Sequence, residues 1–299
     1  MKGPSSAPEF LTTQEVAQLL RVKERKVYDL AGAREIPHRR ITGKLLFPRT
    51  EIEAWMRGET VNGAIPVSVA SVLPPVIAGS HDPLLEWAIR ESGSGLATLF
   101  DGSLDGLEKL VSGKAMAAGM HVPGTATDEW NSEAAQASLA GKPYVLVEFA
   151  RRKQGLILAP SLAGKIGSIA DIAPWRILRR QDNAGSQLVF RKLLREAEMD
   201  ESSLHFCDQV ARTETEAGMA IGAGRADIAP GLESLAHEFR LGFLPTVVER
   251  FDLLVERRSW FGQPFQTLWR FVQSRKFAEH AASMPGHDCS SLGTVHWIG

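Results

Sequence analysis

Cysteine is nearly absent: Cys207 and Cys289 are the two in 299 residues. They lie far apart and in no pairing pattern, which excludes a disulfide scaffold and a zinc motif and suits a reducing compartment. Long apolar runs are missing too. Those at 96–100 and 144–147 fall far short of the roughly 20 residues a membrane span needs, so no membrane association is expected. Residues 1–8 hold one lysine and no apolar stretch, do not read as a secretory leader, and lead us to expect a cytoplasmic protein. Net charge is also scarce, at −1, but the total hides an asymmetry. Between Arg21 and Arg49 stand nine basic residues against the acids Glu24, Asp29 and Glu35, so the remainder of the chain is acidic. What is present, 44% hydrophobic and 23% charged residues over this length, is enough for two domains with cores of their own.

The basic region follows an ordered pattern. In the run 11–20 (LTTQEVAQLL), Thr12 stands three residues before Glu15, a capping-box signature. Val16, Ala17, Leu19 and Leu20 then recur at helical spacing, predicting a helix over Thr13–Leu20. A tight connection at 21–23 leads to a second helix over 24–33 that buries Val27 and Leu30 and presents Arg25, Lys26 and Tyr28, with Gly32 and Pro37 around its end. Residues 36–47 read as a hairpin with its turn at Thr42-Gly43, and a third helix covers 51–56 behind Pro48. A recognition helix for the major groove and a wing for the adjacent backbone are what docking on double-stranded DNA requires. Candidate DNA-contacting residues are Lys23, Arg25, Lys26 and Tyr28 on the helix and Arg39, Arg40 and Lys44 on the wing, the cations supplying the phosphate interaction. Taken as helices alone, a basic hairpin is more often a solvated face or a protein adaptor. The full order of helix, turn, helix, wing and helix favours DNA.

At this point the residues resemble the excisionase or MerR-type winged helix-turn-helix. Residues 11–20, Val22, Val27, Tyr28, Pro37, Arg40, Phe47, Ile52 and Trp55 match its usual run, over about one sixth of the chain. We therefore expect a tail at 1–9, a winged helix-turn-helix at 10–58, and a linker at 59–75 where Gly, Pro and Ser gather without helical period.

Beyond residue 76, short apolar strands alternate with helical patterns, predicting an α/β domain with mainly parallel strands. Three strand-to-helix corners share one chemistry: Gly79-Ser80-His81-Asp82-Pro83, Gly102-Ser103, and Asn183-Ala184-Gly185-Ser186. A helix N-terminus offers free N–H donors and a positive dipole end, glycine admits a ligand to the backbone, and serine adds a hydroxyl. For any one corner a simple helix cap is the more common outcome, and Asp82 is assigned to capping outright. Repetition carries the ligand reading, because open α/β sheets place ligands beyond the carboxyl ends of their strands. The candidate ligand residues are Ser80, Gly102, Ser103, Asn183, Gly185, Ser186 and Thr213.

The same segments carry a second resemblance. Residues 79–85 (GSHDPLL), 102–107 (GSLDGL), 152–160 (RKQGLILAP), Arg180-Gln181 with Gly185-Ser186, 224–227 (GRAD) and 284–288 (MPGHD) are similar to the periplasmic-binding-protein-like domain found fused to helix-turn-helix modules and related to molybdate-binding proteins. The resemblance implies a two-lobed, type II binding-protein fold over 76–299, with lobe I at 76–146 and 242–299 and lobe II at 147–241. It also implies an oxyanion effector such as molybdate or tungstate, no cofactor, and a homo-oligomeric, ligand-responsive transcriptional regulator. An organic or cofactor-like effector is the alternative. Glu214 departs from the related pattern, in which a histidine is common: a buried carboxylate there repels a fully ionised oxyanion and accepts a hydrogen bond from a protonated one.

Three rivals are weaker. Ser80, His81 and Asp82 are adjacent and cannot form a catalytic relay, and no Gly-x-Ser-x-Gly elbow exists, so no enzyme is expected. The run 222–227 has glycines where a helix ends and a strand begins, the reverse of a dinucleotide site. His287, Cys289 and His296 match no metal spacing and read as a mobile tail. Trp87, Trp130, Trp175, Trp260 and Trp269 are core or lobe-interface candidates.

Overall fold

The computed structural model describes residues 9–33, 35–41, 44–57, 73–126 and 128–299. Most of the expected tail and linker, and the wing turn at Thr42-Gly43, lie outside them. Residues 1–72 and 73–299 form separate compact units, each with its own core.

The first unit runs β1 (Phe10–Leu11), α1 (Thr13–Leu20), α2 (Glu24–Gly32), β2 (Arg39–Ile41), β3 (Lys44–Pro48) and α3 (Arg49–Arg57). Thr12 caps α1 reciprocally: the Glu15 N–H donates to Thr12 Oγ1 (3.3 Å) while the Thr12 N–H donates to Glu15 Oε2 (2.7 Å). Arg21 ends α1 in the left-handed region (φ 55°), and the Val22 N–H reaches back to the Ala17 carbonyl, which makes the turn to α2 tight. The three strands pair antiparallel in the order β1-β3-β2. Leu11, Val16, Ala17, Val27, Ala31, Ile36, Phe47 and Ile52 close the core between them and the helices.

The second unit opens with β4 (Val76–Gly79), α4 (Pro83–Ser92), β5 (Ala97–Phe100), α5 (Ser103–Val111), β6 (Ala117–Met120) and α6 (Ser132–Leu139). The 15-residue β7 (Tyr144–Leu158) leads to β8 (Arg176–Arg180), α7 (Gly185–Glu196), β9 (His205–Ala211), α8 (Glu214–Gly222), β10 (Ile228–Leu232) and α9 (Glu233–Glu238). The equally long β11 (Gly242–Glu256) returns the chain to α10 (Arg257–Trp260), α11 (Gln263–Val272), α12 (Arg275–Ala282), β12 (His287–Asp288) and β13 (Val295–Ile298).

One curled sheet, ordered β5-β4-β6-β11-β7-β10-β8-β9, serves two lobes. The parallel trio β5-β4-β6 builds the first lobe, the parallel trio β10-β8-β9 the second, and antiparallel β7 and β11 run through both. Strand alternation fills both faces of the first lobe: Ile77, Leu253 and Val255 pack under α4, α11 and α12, while Ala78 and Leu254 pack under α5 and α6. Phe149 and Ala150 on β7 belong to this core, whereas Leu156, Ile157 and Leu158 join the second lobe's core with Phe243 and Leu244 of β11. The chain thus changes lobe part-way along each long strand. Phe149 and Ala150 side with the first lobe and Phe243 and Leu244 with the second; periodicity does not mark where one continuous strand changes its packing partner. The change coincides with an irregularity between Pro245 and Val247, where Thr246 Oγ1 donates to the Gln154 carbonyl (3.1 Å).

The C-terminal segment is no mobile tail. β12 and β13 both pair with β7, and His287 and His296 are held by Asp82 (3.1 Å) and Glu148 (2.7 Å). Trp87, Trp260 and Trp269 pack against the first lobe's core and Trp175 against the second's.

Candidate functional site

Two surfaces carry the chemistry, one on each unit. On the first, Val27 and Ala31 turn α2 inward and leave Lys23, Arg25 and Lys26 exposed, with Tyr28 53% accessible. No side chain caps α2 at Lys23, and cations at this end oppose the helix dipole. Such a placement weakens an isolated helix and favours a phosphate docked on its N-terminus. Arg40 and Lys44 stand exposed on the paired strands β2 and β3, while Arg39 Nη2 is engaged by Glu51 Oε1 of α3 (2.7 Å), bracing the wing.

On the second unit, the carboxyl ends of the parallel strands from both lobes face one cleft. Asp82 caps α4, accepting from the Leu85 N–H (2.7 Å), and Thr213 caps α8, accepting from the Glu216 N–H (3.0 Å). The Thr213 hydroxyl thus serves as a helix cap and keeps its own O–H to donate. The N-termini of α5 and α7 differ: neither Gly102 nor Ala184 provides a side-chain cap. Ser80 and Ser103, both buried, share a hydrogen bond between their hydroxyls (2.7 Å), and the His121 N–H donates to Ser103 Oγ (3.2 Å).

The lobes are closed on each other. The Leu104 N–H in the first turn of α5 donates to the Asn183 carbonyl (3.3 Å), so an oxygen from lobe II sits where an anion's oxygen would. Gly102 (φ 110°) leaves no room for a side chain, since a Cβ there would stand 2.9 Å from that carbonyl. Gly185 is constrained in the same way, a Cβ meeting the His121 ring at 2.6 Å. Ser80, Gly102, Ser103, Asn183 and Gly185 therefore come together, while Ser186 Oγ accepts from Arg180 Nη1 (3.2 Å) deeper in lobe II.

A chain of buried charges, unannounced by any local pattern, adjoins this contact through His121. His121 Nδ1 is 2.8 Å from Glu249 Oε2; Glu249 pairs with Arg152, and Arg152 Nη1 donates to Asp82 Oδ2 (2.9 Å), which also holds His287. Burial by itself would raise both carboxyls, but His287 and Arg152 hold Asp82, and Arg152 and His121 hold Glu249, below the ordinary carboxylate range. Arg152 is fully buried, and despite the desolvation that lowers it, Glu249 and Asp82 push its pKa upward. In lobe II Arg180 Nη1 pairs with Glu214 Oε1 (2.6 Å). His121 and Glu249 lie 128 residues apart, so no local pattern could announce their pairing. Arg152 and Arg180 stood in the quoted motifs without a role.

Among the described residues no group of three or more His, Cys, Asp or Glu is placed to hold a metal ion, and no helix is long and apolar enough to cross a membrane.

Residues 85–273 match the PBP superfamily domain and residues 10–60 a helix-turn-helix domain. The uncharacterized protein YvgK of Bacillus subtilis (strain 168) is 23% identical over 302 residues, spanning 95% of this chain and 96% of its own. Among solved structures, the regulatory domain of NMB2055 (MetR), a LysR family regulator from N. meningitidis, superimposes with a TM-score of 0.48 at 11% identity, over 71% of this chain and 97% of its own. A phosphate-bound putative phosphate ABC transporter substrate-binding protein from Clostridium perfringens does so at 0.49 and 14% identity, over 74% and 99%. The two domains found here resemble a DNA-binding regulator and a solute-binding fold, not an enzyme, and their combination fits a ligand-responsive transcriptional regulator. With more than half of its length matched by the one domain, the chain belongs to the PBP superfamily and carries a helix-turn-helix domain at its N-terminal end.

Proposed function

We propose that this protein is a cytoplasmic transcriptional regulator that binds double-stranded DNA through Lys23, Arg25, Lys26, Tyr28, Arg40 and Lys44, and whose cleft closes on a small anion. One observation supports the ligand most: the N-termini of α5 and α7, neither capped by a side chain, meet across the cleft beside the hydrogen-bonded hydroxyls of Ser80 and Ser103. Gly102, Asn183, Gly185 and Ser186 shape the opening, and Thr213, whose hydroxyl caps α8, stands at the start of that helix. Molybdate and tungstate, suggested by the resemblance of the sequence, are the first tetrahedral oxyanions to try. Glu214 Oε1 is paired with Arg180, which offsets part of its charge.

The ligand acts by favouring the closed lobes over open ones, since differential affinity is the only lever on such an equilibrium. In a homo-oligomer this changes how paired heads meet DNA half-sites one helical turn apart. Calorimetric titration of the full chain with molybdate, tungstate, sulfate, phosphate and small carboxylates tests the cleft. Ser103→Ala is expected to weaken the tightest of these by roughly tenfold, the worth of one hydrogen bond to a charged group. An unchanged affinity refutes the site. Gel shifts on the protein's own promoter region, with and without that anion, test the regulation.

A further inference from the structure

Several buried polar atoms on and around Arg152, Gln154 and the Arg180–Glu214 pair have no hydrogen-bond partner. Glu214 is 1% exposed; its Oε1 is paired with Arg180, and its Oε2 has no hydrogen bond. Neither end of the Gln154 amide is bonded, nor are Gln187 Nε2, Arg152 Nε and Ser234 Oγ. Gln154 pairs in register with Leu232, two residues before Ser234, and neighbouring Gly155 pairs with Gly231. A Cβ on Gly231 would lie 3.5 Å from Glu214 Oε2. Arg180, the partner of Glu214, also donates to Ser186 and takes Gln187 Oε1 on its backbone N–H (2.9 Å). With the lobes closed, the gap between Gln154, Ser186, Pro230 and Thr246 has no room for a water molecule, so a ligand reaches these groups only as the lobes part.

Buried polar atoms in a folded protein are almost always satisfied, so this set lacks a partner of definite chemistry. Gln154 Nε2, Gln187 Nε2 and Arg152 Nε need an acceptor. Glu214 Oε2 and Gln154 Oε1 need a donor. Sulfate, molybdate and tungstate carry no proton at neutral pH; they satisfy the first group and set a charged oxygen against the Glu214 carboxylate. Hydrogen phosphate, or a small hydroxy- or amino-carboxylate, satisfies both.

We infer that the cleft selects an anion bearing its own O–H or N–H donor over fully deprotonated oxyanions, with Glu214 Oε2 as the acceptor that reads the proton. This rests on the cleft being an anion site. The test is calorimetry on the full-length protein and its Glu214→Gln variant with phosphate, lactate, sulfate, molybdate and tungstate. Wild type should bind phosphate or lactate at least tenfold more tightly than the three deprotonated oxyanions, because a carboxylate meeting no donor loses a charge-assisted hydrogen bond. Glu214→Gln, which offers an amide donor in place of one oxygen, should narrow that ratio by on the order of tenfold. Gln154→Met, which leaves the Arg180 pair intact, should weaken the preferred anion while preserving the thermal transition. Tighter wild-type binding of sulfate, molybdate or tungstate overturns the inference and leaves the anion site standing; so does an unchanged ratio in a folded Glu214→Gln variant. Binding of none of the five removes the anion site and the inference together.

Discussion

Asp82 shows how much one residue is made to do. It caps α4, accepts a charged hydrogen bond from fully buried Arg152, and fixes His287 of the C-terminal segment. Removing one member of a buried ion pair strands the other, a change that costs about 3 kcal/mol or more. Asp82→Asn, which keeps the shape and the capping oxygen, should therefore destabilise the effector unit by roughly that amount in urea denaturation at neutral pH. A loss below about 1 kcal/mol would show that Arg152 is satisfied without the charge. The pH dependence has a definite sign. Both Asp82 and Glu249 are held below their unfolded values, so their stabilisation is complete above the ordinary carboxylate range and is lost as pH falls through the depressed folded values. The contribution of this pair should begin to fall as the pH enters that range and go on falling toward the depressed folded values, and the acid limb of the Asp82→Asn curve should be shallower by about one proton.

At the scale of elements, α2 is the proposed recognition helix, and its cations are set against its own dipole. Arg25→Ala and Lys26→Ala should each weaken binding to all duplexes and lower the slope of log affinity against log salt by about 1, read by fluorescence anisotropy from low to moderate salt. Arg39→Ala should show a smaller change in slope, because Glu51 already holds that guanidinium. The helices of the head were legible from Thr12, Glu15 and the recurrence of Val16, Ala17 and Leu20, because 3.6-residue periodicity and capping are local properties. The strand-helix alternation of the effector unit was equally open to reading. The roles of its corners were not: Thr213 turned out to cap and Ser103 not to, a distinction that depends on which backbone N–H each hydroxyl meets.

For the whole molecule, residues 1–72 and 73–299 close cores independently. A chain beginning at Leu73 should thus fold alone and keep its anion response, a saturating ligand at 100 times its dissociation constant adding about 2.7 kcal/mol. Thermal melts of the truncated and full chains with the same anion check this. A response confined to the full chain would move the site out of the cleft.

Sequence alone determined what is local: the caps, the helical stripes, the alternation of strand and helix, and the charge gathered between Arg21 and Arg49. Each follows from contacts within a few residues of chain. Tertiary structure alone decided what is distant. It joined His121 to Glu249 and Arg152 to Asp82, laid His287 on the effector sheet, and left Glu214 Oε2 buried without a donor. A buried charge settles wherever the folded chain supplies its counter-charge, and that partner is set by which strands lie side by side.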